Sequence, residues 1–218
     1  MKVTKIGHCC LLIEVNGKRI LTDPGVFSDG QNAIKNIDII LITHEHQDHL
    51  HMDSLKTVLE HSPKAAVVTN TAVGKLLEEQ KIAFTLLEHG ESSTVEGIAL
   101  EGFGEQHALI HSSMPTVQNT GYFIAERLFY PGDALTKPGI PVEVLALPVA
   151  GPWLKIGEAI DYAKAVKPQM AFPVHDAVLS AVGLKLHHSL LQRLLEPDGI
   201  QFMPLVDGEE LSFADDPE

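Results

Sequence analysis

Six consecutive residues, His44-Glu45-His46-Gln47-Asp48-His49, hold three imidazoles and two carboxylates. They directly follow an apolar run, Ile37-Asp38-Ile39-Ile40-Leu41-Ile42-Thr43, that reads as a buried strand. A metal site needs neutral imidazoles and ionised carboxylates gathered at one point, and a strand end gives them a rigid base. Side chains alternate along extended chain, so His44 and His46 point to one side. Asp48 and His49 lie beyond the turn and can face a second point nearby. That geometry suits two metal ions. The competing reading, a solvated His-rich loop, does not explain the order of residues or the apolar strand before it.

The rest of the chain alternates hairpins with strand–helix units. Val3 to Thr22 reads as a β-hairpin with Asn16-Gly17 as its turn, closed by Asp23-Pro24-Gly25. Residues 26–36 read as a polar loop. Met52, Leu55, Val58 and Leu59 have helical spacing after the His cluster, and Ala65 to Thr69 is a short strand. Thr71 is expected to cap a helix carrying Leu76 and Leu77. Strands follow near Ile98–Phe103, Thr120–Ala125 and Leu128–Tyr130, the last two forming a hairpin around Glu126-Arg127, and then at Val142–Val149. Ile160, Ala163 and Val166 mark a helix from Glu158 to Val166, stopped by Pro168. A second helix runs from Leu184 to Leu195, with Leu184, Leu190, Leu191, Leu194 and Leu195 turned inward. The tail from Ala214 to Glu218 is expected to fray. Two mixed sheets flanked by helices, an α/β (α+β) architecture in one domain over 1–218, follow from this pattern.

Three further strand ends carry metal-binding residue types. Arg127-Leu128-Phe129-Tyr130-Pro131-Gly132-Asp133 is an apolar strand ending in Gly-Asp, and Met170-Ala171-Phe172-Pro173-Val174-His175-Asp176 is another ending in His. Gly104-Glu105-Gln106-His107 lies between them. The His-x-His-x-Asp-His order and these three later positions resemble the metallo-β-lactamase superfamily, over nearly the whole chain. Ile6-Gly7-His8 and Ile20-Leu21-Thr22-Asp23-Pro24 resemble the branch of ascorbate-phosphate lactonases and N-acyl-phosphatidylethanolamine-type phospholipases D.

The resemblance implies an αββα sandwich and a ligand set. His44, His46 and His107 would hold one metal, and Asp48, His49 and His175 the other, with Asp133 bridging. His111 rivals His107 as the third imidazole of the first group. Nitrogen and oxygen donors favour zinc, and manganese, iron or nickel fit the same donors. Two such ions ~3.5–4 Å apart stabilise a bridging hydroxide and clamp an oxyanion. The implied activity is hydrolysis of a lactone, ester or similar bond in a small soluble metabolite, an anionic one included. A phosphodiesterase or phospholipase-D-like hydrolase is the alternative enzyme, and a non-catalytic metal-binding protein the alternative class. Asp48 could move a proton. The resemblance places His8 at the mouth of the site, where it could protonate a leaving group or serve a structural role. Trp153 and Lys155 could wall the pocket and bind an anion, or be ordinary surface residues. Asp176 is a candidate to orient His175, and Asp23 to orient the His cluster. His51 reads as a supporting residue, and His61, His89, His187 and His188 read as surface residues.

The chain's 218 residues carry a net charge of −13. An acidic surface argues against nucleic-acid partners, which need clustered Lys and Arg. No apolar run approaches the ~18 residues of a membrane span. Leu11-Leu12-Ile13 is too short for a signal-peptide core, so a cytoplasmic location is expected. The only cysteines, Cys9 and Cys10, are adjacent and read as small buried residues of the first strand rather than soft ligands. A small-molecule substrate is the expected partner, with homo-oligomerisation open.

Overall fold

The computed structural model describes residues 1–214; the tail expected to fray falls, from 215 onward, outside them. The chain opens with β1 (Lys2–Gly7), β2 (Cys10–Val15) and β3 (Lys18–Thr22), followed by β4 (Ile39–Leu41), α1 (Met52–His61), β5 (Ala66–Thr69), α2 (Thr71–Glu79) and β6 (Thr85–Leu86). The second half runs β7 (Ser92–Val95), β8 (Ile98–Phe103), β9 (Gly121–Ile124), β10 (Leu128–Tyr130), β11 (Val144–Pro148), α3 (Ile156–Val166), β12 (Met170–Val174) and α4 (Ala181–Leu195). Two short strands, β13 (Gln201–Phe202) and β14 (Glu210–Ser212), close it.

Two seven-stranded mixed sheets result, ordered β14-β1-β2-β3-β4-β5-β6 and β13-β12-β11-β10-β9-β8-β7. Period-two alternation explains how they stack. Ile39 and Leu41 of β4, Leu128 and Tyr130 of β10, and Val144 and Ala146 of β11 face one central core between the sheets. Their neighbours face outward. Ile40 and Ile42 pack with Leu55 and Val58 of α1 and Val73 and Leu77 of α2. Phe129, Leu145 and Leu147 pack with Ile160 and Ala163 of α3 and Leu191 and Leu195 of α4. Strands apolar on both faces are the mark of sheets covered on both sides. The order of layers is helix, sheet, sheet, helix, the αββα sandwich.

Several local expectations are corrected. The first hairpin is a three-stranded meander, because Gly7 and His8 (φ 47°) turn the chain before Cys10. Cys9 lies in that turn and only Cys10 in a strand; both are buried. The cap of α2 is Asn70, not Thr71: the Asn70 side chain accepts the Val73 N–H at 3.1 Å. Leu194 is 36% exposed, whereas His188, expected at the surface, is 8% exposed on the inner face of α4. Neither β6 nor β7 is evident in the sequence, since β6 has two residues and β7 is Ser-Ser-Thr-Val.

The pairs β3–β4, β4–β5, β10–β11 and β11–β12 are parallel. Their carboxyl ends therefore collect at one edge of each sheet, and the residues just past β4, β10 and β12 meet there.

Candidate metal centre

The loop after β4 carries the His cluster, and its shape is set by close backbone approach. A Cβ on Gly25 would lie 1.9 Å from the Asp48 carbonyl oxygen, so only glycine lets residues 24–26 pass beneath the loop. The Val26 N–H donates to the Gln47 carbonyl at 2.9 Å and fastens the two segments. His8, Asp23 and His175 all adopt positive φ (47°, 35° and 59°), uncommon for residues with side chains and concentrated here at one place.

Asp23 is fully buried and organises the cluster from behind. Its Oδ1 accepts the Thr43 N–H at 2.8 Å, and its Oδ2 accepts the Thr43 hydroxyl at 2.7 Å and His49 Nδ1–H at 2.6 Å. The Tyr130 hydroxyl donates to the same oxygen. The hydroxyl proton of Thr43 is thus committed to Asp23, and its oxygen, 2.9 Å away, accepts His44 Nδ1–H. His107 Nδ1–H donates to the Ala108 carbonyl at 2.5 Å. In all three imidazoles the Nδ1 proton is spoken for, leaving the Nε2 lone pair facing inward.

The residues expected to form the site converge, in two groups. Ligand atoms of His44, His46 and His107 lie within 4.8 Å of one another, as do those of Asp48, His49, Asp133 and His175. Asp133 stands between the groups. Its Oδ2 is 3.2 Å from His107 Nε2, 2.9 Å from His175 Nε2 and 4.0 Å from His44 Nε2, and its Oδ1 is 3.1 Å from His49 Nε2. Asn119 Oδ1 accepts the Asp133 N–H at 3.0 Å and holds its backbone. His107, 4% exposed, takes the place beside His44 and His46, while His111 is exposed and bonds Ser113 at 2.8 Å.

These residues fit a metal on the evidence of their own atoms. His44 Nε2, His49 Nε2, His175 Nε2 and Asp133 Oδ1 are buried without a hydrogen-bond partner. Burial of unpaired polar atoms costs ~1–3 kcal/mol each unless something satisfies them. Where two lone pairs face each other, that something is a cation: a metal ion or, without one, a proton on the imidazole. Burial, with His49 beside it, holds His44 well below the usual imidazole range, so it stays neutral and able to donate. Asp133 is held well below the carboxylate range: burial opposes its charge, but His49 and His175 outweigh burial. His175 is raised to about 10, since Asp133 beside it overcomes the cost of burial.

His8 reaches the same place from the first meander. It is 1% exposed, and its ring centroid is 4.2 Å from that of His175. The Ala177 N–H donates to its Nδ1 at 3.3 Å, so Nε2 carries the proton and points at Asp48 Oδ2, 3.3 Å away. Ligand atoms of His8, Cys9, His49 and His175 also fall within 4.8 Å of one another.

Other expectations are revised. Lys155 points away, 87% exposed beside Glu158. Asp176 is held by the buried Lys5 ammonium at 2.5 Å rather than oriented toward His175. His187 Nδ1–H donates to the Val149 carbonyl at 2.9 Å. His51 bonds Ser54 at 2.9 Å, apart from both groups. Trp153 walls the pocket and also donates its indole N–H to Asp133 Oδ2 at 2.8 Å. Sequence reasoning passed over Thr43, Asn119, Tyr130 and Lys5. Only Thr43 carried a signal, a hydroxyl beside a candidate ligand. The cavity over the two groups is about 310 Å³, walled by Ile110, Pro152 and Trp153 with Gln47 at its rim.

Known proteins agree with this architecture. A family model described as a β-lactamase superfamily domain matches residues 2–175. Protein Rv0786c of Mycobacterium tuberculosis is 36% identical over 209 residues, covering 94% of this chain and 97% of the relative. The UPF0173 metal-dependent hydrolase Ta0764 of Thermoplasma acidophilum is 24% identical over 193 residues, covering 80% and 83%. Among solved structures, Igni18, a metallo hydrolase from the archaeon Ignicoccus hospitalis, shares the fold with a TM-score of 0.78, at 18% identity over 98% of both chains. In fold and in sequence, the chain belongs to the metallo-β-lactamase superfamily.

Proposed function

We propose that this metal-dependent hydrolase cleaves a lactone, ester or similar bond of a small molecule at a centre for two divalent ions, zinc favoured by the donor set. His44, His46 and His107 would hold one ion, Asp48, His49 and His175 the other, and Asp133 both. When bound, the ions supply a hydroxide nucleophile at neutral pH and Lewis acidity for the developing oxyanion. The observation that carries this reading is Asp133, whose two oxygens face imidazoles of both groups at 2.9–3.2 Å.

The chain's own groups supply the rest. Asp48, 22% exposed at the cavity, is placed to accept a proton from the attacking side or return it to a leaving group. His8 keeps a proton on Nε2 and aims it at Asp48, which orients that carboxylate. Ile110, Pro152 and Trp153 would give the substrate an apolar flank. Among the described residues, no Lys or Arg lines the cavity, which favours an uncharged lactone or ester over a phosphodiester. An anionic substrate would rely on the ions for its charge balance. No helix among the described residues is long and apolar enough to cross a membrane.

Elemental analysis together with a substrate panel of lactones, esters, thioesters and phosphodiesters tests the reading. Near two divalent ions per chain and turnover of a lactone or ester are expected. Metal content near zero after purification with zinc and manganese supplied would end it, and turnover of phosphodiesters alone would move the chain to the phosphodiesterase reading.

A further inference from the structure

We infer that Trp153 is a positioning residue for Asp133: its indole N–H locks the carboxylate in the orientation that serves both imidazole groups. The inference rests on the reading of Asp133 as the shared ligand. The donor, Trp153 Nε1, lies 2.8 Å from Asp133 Oδ2, the oxygen that also faces His107 and His175. An indole N–H can only donate, so it pairs with an ionised carboxylate and never competes for a cation. A hydrogen bond to a charged acceptor is roughly twice as strong as a neutral one.

The indole is itself fixed. Trp153 is 8% exposed, and its ring stands edge-on to His107 and to His175, with centroids 5.7 Å from each. It thus touches one imidazole from each group as well as the carboxylate between them. Gly151 makes room for it. At φ 149°, a Cβ there would lie 2.9 Å from Trp153 Nε1 and 3.3 Å from His175 Cε1. The Leu154 N–H donates to the Gly151 carbonyl at 3.2 Å and closes the turn that presents the ring. An apolar wall alone would need neither the bond nor the glycine.

Trp153→Phe tests the inference, because it keeps an aromatic wall and removes the N–H. Outer partners of metal ligands are worth ~10–100-fold in affinity, so the Kd for zinc, measured by chelator competition, should rise by at least ~10-fold. A residue that only lines the cavity would change KM and leave metal affinity alone. Zinc affinity within twofold of the parent overturns the role while leaving the metal centre standing; a parent that binds no divalent ion overturns both. The parent gives a second measurement that does not depend on the variant folding. Trp153 is the only tryptophan in the chain, so a ¹⁵N spectrum contains one indole N–H resonance. That resonance should resist solvent exchange and move on zinc addition and in Asp133→Asn. Rapid exchange, or a resonance indifferent to Asp133→Asn, overturns the inference.

Discussion

Asp133 is where the charge of the site is concentrated, and the other side chains of the centre are arranged around that one carboxylate. Asp133→Asn keeps the shape and removes the charge. An amide oxygen balances two cations poorly, and its NH₂ end has no lone pair to offer a cation. Because outer partners alone are worth ~10–100-fold, kcat should fall by more than ~100-fold with the fold retained. Steady-state kinetics with circular dichroism checks this, and unchanged turnover removes Asp133 from the centre. At the same scale, His107 and His111 differ in burial and partners although four residues apart. His107→Ala should lower metal content and activity together, because a group left with two imidazoles holds zinc weakly. His111→Ala should leave metal content intact. The reverse result would transfer the role to His111.

At the scale of elements, loops carry the ligands and buried polar bonds fix the loops. Asn70 shows how. Its Oδ1 caps α2 through the Val73 N–H, and its Nδ2 donates to the Thr43 carbonyl at 2.8 Å, one residue before His44. Asn70→Ala should therefore cost roughly 1–3 kcal/mol in denaturant unfolding, the sum of a lost cap and a lost buried bond, and lower activity as well. Thr71 is exposed and not the cap, so Thr71→Ala should stay within about 0.5 kcal/mol. Equal effects would mean the cap had been misplaced. This pair also marks what the sequence can and cannot tell. The strands β4, expected over Ile37–Thr43 and formed over Ile39–Leu41, and β12 are legible because they are apolar on both faces, and the His cluster because its residue types share one chemistry. Thr71 and Asn70 are both good caps one residue apart, and only backbone direction separates them. The Gly7–His8 turn, the two-residue β6 and the polar β7 have too little pattern to be read. Trp153 is recognisable as a wall but not as a donor, since the bond to Asp133 joins segments 20 residues apart that meet only once β10 and β11 pair.

For the whole molecule, the centre draws on both halves of the sandwich: His8, Asp23 and the His cluster come from one sheet, and His107, Asp133 and His175 from the other. Loading with metal should therefore stabilise the packing of the two sheets, not just the loops. At 100 times Kd, one ion adds ~2.7 kcal/mol, and with ~2–4 °C per kcal/mol in a chain of this size, Tm should rise by ~5–10 °C. The effect should depend on pH with a definite sign. In the metal-free protein, His175 is raised from the ordinary 6.5 to about 10 by Asp133, against the cost of burial. His49 is likewise raised well above 6.5, burial being outweighed by Asp133. A group whose folded pKa is raised gives stability that is fully present below its unfolded value and lost as pH rises through the folded value. The stripped protein should thus weaken from about pH 6.5 toward 10 as these imidazoles lose the protons that pair them with Asp133. Metal ions take the place of those protons and bind better as they leave. The gap in Tm between zinc-loaded and chelator-stripped protein should widen across that window, measured by calorimetry in matched buffers. A gap that narrows or stays flat with rising pH would show that protons and metal do not compete for His49 and His175, and would remove both imidazoles from the proposed ligand set.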